Sequence, residues 1–121
     1  MSSKYKFIDK QGIYFTTSTI AAWVDVFTRD VYRNILLDSL KYCQKNHGLA
    51  IHAWVLMPNH LHMICSFRNE LSGGQVLRNM KSFTAMKVID AIINNTLESR
   101  REWMLDIFEE SFFICAEISL I

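Results

Sequence analysis

Residues Val55 to Ile64 read VLMPNHLHMI. One apolar run enters the Pro58-Asn59 pair, and a second leaves it carrying His60 and His62. Proline presets a turn backbone and has no N–H for a strand ladder, and asparagine tolerates tight turns, so the stretch reads as two strands folding back on each other. Side chains two residues apart on a strand emerge on the same face, which makes both imidazoles project together in the manner of a metal clamp. On the returning strand, His60 to Phe67, residues Leu61, Met63, Cys65 and Phe67 form the core face. His60, His62, Ile64 and Ser66 form the other, which is either covered by a polar partner element or open as a site.

Working outward, Leu49 to Met57 is apolar on both faces except at His52, as expected of a buried central strand. Before it, Thr28 as N-cap, Asp30 in the first turn and the recurrence of Val31, Ile35, Leu36, Leu40 and Cys43 predict a helix over about 29 to 46. Gly48 is its stop. The aromatic and β-branched run from Ile13 to Thr19 predicts a first strand, and Ile20 to Phe27 an apolar connection folding back on the sheet. Beyond the histidines, Arg68 to Leu71 is a loop. Ser72 and Gln75 have capping-box spacing ahead of a second helical stripe through Val76, Leu77, Met80, Phe83, Thr84, Val88, Ile89 and Ile92. Thr96 caps a third helix ending near Glu110, with Leu97, Trp103, Met104, Ile107 and Phe108 inward and Glu98, Arg100, Arg101 and Glu102 solvated. The last segment, SFFICAEISLI, alternates as a strand does. This order of strands and helices predicts an α+β fold, with helices packed on one face of a sheet.

The 121 residues suit one domain, residues 1 to 121. Thirteen Lys and Arg against twelve Asp and Glu leave a net charge of +1, so any basic face for a polyanion must be local. Cys43, Cys65 and Cys115 are widely spaced among apolar neighbours, the pattern of buried reduced thiols. No signal segment or membrane-length apolar run is present, and a cytoplasmic setting without membrane partners is the expectation.

His60 and His62 spaced this way can be a metal pair or ordinary strand histidines. Asp106, Glu109 and Glu110 are donors in principle for a third ligand, but their default reading is solvated helix charge. His52 is read as a buried, hydrogen-bonded histidine and His47 as a partner of the helix dipole. Arg78, Lys81 and Lys87 on the second helix, with Arg68 on the loop before it, make a basic strip beside the histidine face, or a set of ordinary solvated charges. Trp23, Trp54 and Trp103 occupy apolar positions and are read as core.

The segment MPNHLHMI resembles the signature of the HUH single-strand transposases, in which His-hydrophobic-His binds a divalent metal. The similarity extends through IYFTTSTIAAWVDVFTRDVYRNILLDSL and LSGGQVLRNMKSFTAMKVIDAI, over roughly residues 12 to 108, and is strongest toward the tyrosine transposases associated with repeated palindromes. It implies a ferredoxin-like antiparallel sheet, with single-stranded or hairpin DNA as partner and Mg²⁺ or Mn²⁺ as cofactor. It also implies cleavage by a tyrosine that leaves a 5′-phosphotyrosine, with a homodimer compatible with the family's habit of sharing active-site parts. Oxygen-seeking Mg²⁺ suits two imidazoles less well than Mn²⁺. Tyr5, Tyr14, Tyr32 and Tyr42 all precede the histidines, whereas the family's nucleophile follows them, so none is carried over. Tyr32 and Tyr42 are read as packing or surface residues. The expectation is a C-terminally incomplete transposase domain, inactive alone; the alternatives are a non-catalytic single-stranded DNA-binding module or inactive transposase remnant, and a metal-binding or structural α+β domain with no nucleic-acid role.

Overall fold

A computed structural model of the chain describes residues 11–68 and 71–121, the side chains of Cys115 and Ala116 excepted. The readings of residues 1–10, of the middle of the Arg68–Leu71 loop and of the Cys115 thiol lie outside these. The strands are β1 (Tyr14–Ile20), β2 (Leu49–Met57), β3 (His60–Phe67) and β4 (Phe113–Leu120), and the helices are α1 (Asp30–Asn46), α2 (Gly73–Asn94) and α3 (Arg101–Phe108). The strands form one sheet in the order β2-β3-β1-β4, and every neighbouring pair is antiparallel. Each helical connection therefore carries the chain over an intervening strand, which gives the ferredoxin-like α+β arrangement.

Alternation decides which way each strand looks. On β3, Leu61, Met63, Cys65 and Phe67 are buried, as are Tyr14, Thr16, Ser18 and Ile20 on β1. These meet Leu36, Leu40 and Cys43 of α1, Val76, Leu77, Met80, Val88 and Ile92 of α2, and Met104 and Phe108 of α3 in one core. Ser72 accepts a hydrogen bond from the Gln75 N–H and starts α2 as its spacing predicts, and Gly48, at φ 73°, ends α1 in the left-handed conformation that only glycine adopts without a steric penalty.

Several expectations are corrected. The strand Leu49–Met57 lies at the sheet edge rather than the centre, and its Trp54, Val55 and Met57 are exposed. The central strands are β1 and β3: pairing on both sides, not hydropathy, sets the centre, and β1 buries Thr16 and Ser18 there. Helix α1 begins at Asp30, and Thr28 caps nothing; its hydroxyl donates to the Asp25 carbonyl in a 3₁₀ turn. The stripe is also rotated, so that Val31 is exposed and Tyr32 buried. Helix α3 starts at Arg101, not at Thr96, because Glu98 turns inward as a buried carboxylate while Leu97 is 91% exposed. Finally, Trp23, Trp54 and Trp103 are all exposed rather than core residues.

The closing segment is a true strand. β4 pairs with β1 along its length, with a bulge where Ile20 meets Phe113, and Ile118 enters the core.

Candidate metal and nucleic-acid site

The helices pack on one face of the sheet and leave the histidines on the other. There the register sets residues in rows: Val55, His62, Thr17 and Glu117 lie side by side across the four strands, and Met57, His60 and Thr19 form the next row. The His60 and His62 rings are 4.6 Å apart and nearly perpendicular.

Each imidazole is held through Nδ1. His60 Nδ1 lies 2.7 Å from Asn59 Oδ1. The same amide donates through Nδ2 to the Trp23 carbonyl oxygen at 3.3 Å, which fixes its orientation and makes Oδ1 the acceptor. His60 is then protonated on Nδ1 and keeps its lone pair on Nε2. His62 Nδ1 shares a 2.9 Å hydrogen bond with Thr17 Oγ1, which holds its ring, and no other described residue hydrogen-bonds its Nε2. Burial, and then the neighbouring imidazole of His62, depress the His60 pKa and keep it neutral, as a metal ligand must be. A ligand imidazole anchored through its second nitrogen is the usual supporting arrangement at metal sites.

The surround is apolar. Phe15 stacks on His62 with ring centroids 5.3 Å apart, and beside it lies a shallow depression of about 210 Å³ lined in part by Phe15, Ala53, Val55 and Ile64. Trp23, 65% exposed, stands on the other flank with its ring 6.3 Å from that of His60. Asn59 is part of the motif and Trp23 lies in the connection after β1, and only the fold shows that they meet. Thr17 and Phe15 could not have been found without the strand register.

The other candidates are dispersed. His52 is exposed rather than buried, and its Nε2 is 2.9 Å from Ser66 Oγ at the far end of β3 from His60. His47 ends α1 with its ring against Tyr42. Asp106, Glu109 and Glu110 are exposed, and among the described residues no group of three or more His, Cys, Asp and Glu is placed to hold a metal. Arg78, Lys81 and Lys87 stand on α2, in the layer opposite the histidines, and are not brought to them; Lys87 Nζ lies over the Phe83 ring. Arg68 leaves the end of β3, where its N–H donates to the Gly48 carbonyl. Of the described tyrosines, Tyr14 and Tyr32 are buried and Tyr42 is on the surface of α1, so none shares the histidine face.

Away from the site, Glu98 gathers the polar interior. Its carboxylate accepts from Tyr32 Oη at 2.9 Å, Arg29 Nε at 3.1 Å, the Arg100 N–H at 3.2 Å and Arg100 Nε at 3.3 Å. Burial raises its pKa, but these four hydrogen bonds together outweigh burial and leave it below the ordinary value. Arg100 continues outward to Asp25 at the end of the Trp23 segment.

Fold and face together define a class: an α+β domain that presents a strand-borne imidazole pair on the sheet surface opposite its own helices. Residues 18–117 match the family model of IS200-like transposases, and the chain belongs to that family. Among solved structures it is similar to the REP-associated tyrosine transposase bound to a REP hairpin, at 15% identity and a TM-score of 0.68 over 100% of this chain and 62% of that one. It is similar also to a transposase candidate of Deinococcus radiodurans R1, at 15% identity and a TM-score of 0.54 over 90% of this chain and 96% of that one. The chain thus spans less than two thirds of the length of the hairpin-bound structure. No curated protein matches it.

Proposed function

We propose that the chain is the metal-binding and DNA-binding domain of a transposase acting on single-stranded or hairpin DNA in the cytoplasm, with His60 and His62 as ligands of a divalent cation. The observation that carries the reading is the pair of imidazoles 4.6 Å apart on the sheet face opposite the helices, each ring held through its Nδ1 by Asn59 or Thr17. The donor set fits a borderline ion such as Mn²⁺, and Mg²⁺ less well, with the remaining positions left to oxygen ligands. When bound, such an ion polarises a phosphodiester oxygen.

The protein groups have separate duties. Asn59 and Thr17 orient the ligands, and the apolar surround of Phe15, Val55 and Ile64 limits water at the reacting phosphate. Attack by a tyrosine oxygen forms a bond to phosphorus and breaks the bond to the 3′ oxygen, which leaves as a 3′-hydroxyl after taking a proton. Among the described residues Tyr14, Tyr32 and Tyr42 do not face the pair, so none of these three is the attacking tyrosine. A homodimer belongs to the same proposal, as do phosphate contacts by Arg68, Arg78, Lys81 and Lys87 with DNA passing along the α2 side.

The test is Mn²⁺ binding followed by electron paramagnetic resonance, together with anisotropy on a labelled DNA hairpin bearing a single-stranded tail. Wild type should bind both, and the combined His60→Ala, His62→Ala variant should lose the metal while keeping the fold. A chain that takes up neither metal nor DNA would overturn the proposal.

A further inference from the structure

We propose that Trp23 is a stacking platform for one nucleobase of a single-stranded segment, set beside the His60–His62 pair so that a bound base positions the neighbouring phosphate; this rests on the DNA-binding reading above.

Four observations converge. The first is selective exposure: Val24, Val26 and Phe27 of the same segment are buried, whereas the Trp23 ring is 65% exposed. An indole serving the core would have turned inward with them. The second is backbone strain, since Ala22 and Trp23 have φ of 53° and 58°, two consecutive residues with a Cβ in the left-handed region. Such conformations persist only where the surroundings impose them, and they concentrate at functional sites.

The third is how firmly the segment is held. The Ile20 N–H donates to the Asn59 carbonyl at 2.9 Å, the Ala21 N–H to Phe112 at 2.7 Å, and the Phe27 N–H to Pro58 at 2.9 Å. Asn59 Nδ2 reaches the Trp23 carbonyl, and Arg100 pairs with Asp25. The backbone is fixed on both sides of a ring that is itself accessible, which is preorganisation for a ligand. The fourth is position, for the indole lies 6.3 Å from the His60 ring, and one side chain, Asn59, holds both the Trp23 carbonyl and the His60 imidazole.

The chemistry this recognises is a flat aromatic base attached to a phosphate. Base–aromatic stacking in single-strand binders tolerates any sequence, and its removal by alanine weakens binding by about ten-fold or more. Backbone contacts would not need it.

The test uses the whole chain with Mn²⁺ and two labelled probes, a DNA hairpin with an oligothymidine tail and the same hairpin without one. Trp23→Ala should weaken binding of the tailed probe about ten-fold and leave the tailless probe unchanged, while Trp23→Phe should retain most of the affinity. In a Trp54→Phe, Trp103→Phe background Trp23 is the remaining indole. Its emission should be quenched by the tail, and less so when an abasic residue replaces the stacked base. Unchanged tail affinity in Trp23→Ala with unquenched emission overturns the inference while the DNA-binding reading stands. So does equal weakening of both probes, or a change in self-association alone. Failure of wild type to bind either probe overturns the DNA-binding reading, and this inference with it.

Discussion

Replacing Glu98 by alanine should destabilise the domain by about 3 kcal/mol. The carboxylate is inaccessible to solvent and accepts four hydrogen bonds from Arg29, Tyr32 and Arg100. Removing one partner of a buried ion pair costs about 3–5 kcal/mol because the other charge is left uncompensated. The lower end applies here, since the Arg29 side chain is half exposed and can regain water, and Arg100 keeps Asp25. Tyr32 keeps the bond that Asn95 donates to its hydroxyl. Against a typical stability of about 5–15 kcal/mol, such a loss should lower the melting temperature by roughly 10 °C. Urea unfolding followed by circular dichroism measures it, with exposed Glu102→Ala as a control expected within about 0.5 kcal/mol of wild type. The pH dependence follows from the lowered pKa. A carboxylate whose folded pKa lies below its unfolded value of about 4.3 contributes stability above that value and loses it as pH falls through the folded pKa. Wild type should therefore lose stability on acidification below about pH 4.3, and Glu98→Ala should show a shallower fall. A variant within about 0.5 kcal/mol of wild type would refute the claim that this carboxylate organises the interior.

Asn59→Ala, which removes the acceptor for the His60 Nδ1–H, should weaken Mn²⁺ binding by about 10–100-fold with the two ligands intact, read by calorimetric titration; unchanged affinity would deny Asn59 its orienting role. Burial pushes the Cys65 thiol up to about 11, against a smaller opposing effect of its hydrogen bond with Thr16, so at pH 8 it should react with an aromatic disulfide reagent only on unfolding. Peptide mapping of the labelled protein checks this, and rapid modification of Cys65 in native buffer would contradict the burial. If Arg78 and Lys87 contact phosphates, replacing both by alanine should reduce the slope of log affinity against log salt by about 1.4–1.8; an unaltered slope would remove the α2 surface from the DNA interface.

The elements that could be read from sequence are those whose local signal and tertiary role agree. β3 alternates strictly, and the structure buries the four residues its pattern puts inward. Ser72 caps α2, and Gly48 ends α1, by backbone chemistry that needs no tertiary context. The misreadings occur where the same residues serve two ends. Leu49–Met57 is as apolar as a central strand, but apolarity at a sheet edge, beside a face that none of the described helices covers, does not imply burial. Glu98 reads as a solvated helix charge until Arg29 and Tyr32, distant in sequence, fold against it. The tryptophans look like core because hydropathy cannot separate a ring that fills a cavity from one held out on a fixed backbone.

The site itself depends less on the two strands than on the turn between them. A strand pair alone would place His60 and His62 on one face with freely rotating rings. Pro58 and Asn59 add contacts that a strand cannot supply: their carbonyls take the N–H groups of Phe27 and Ile20, which bind the connection after β1 to the hairpin. The Asn59 side chain then spends its acceptor on His60 and its donor on Trp23. Because the two bonds come from opposite ends of one planar amide, moving the Trp23 carbonyl rotates the acceptor that sets the His60 ring. The segment leading into α1 is thereby tied to the orientation of the His60 ring, and Arg100 ties its Asp25 to the Glu98 cluster. Glu98→Ala leaves Arg100 on Asp25 but removes its second anchor, so any effect on His60 should be small beside the loss of stability; a large loss of Mn²⁺ affinity in the folded variant, read by titration, would show a tighter link.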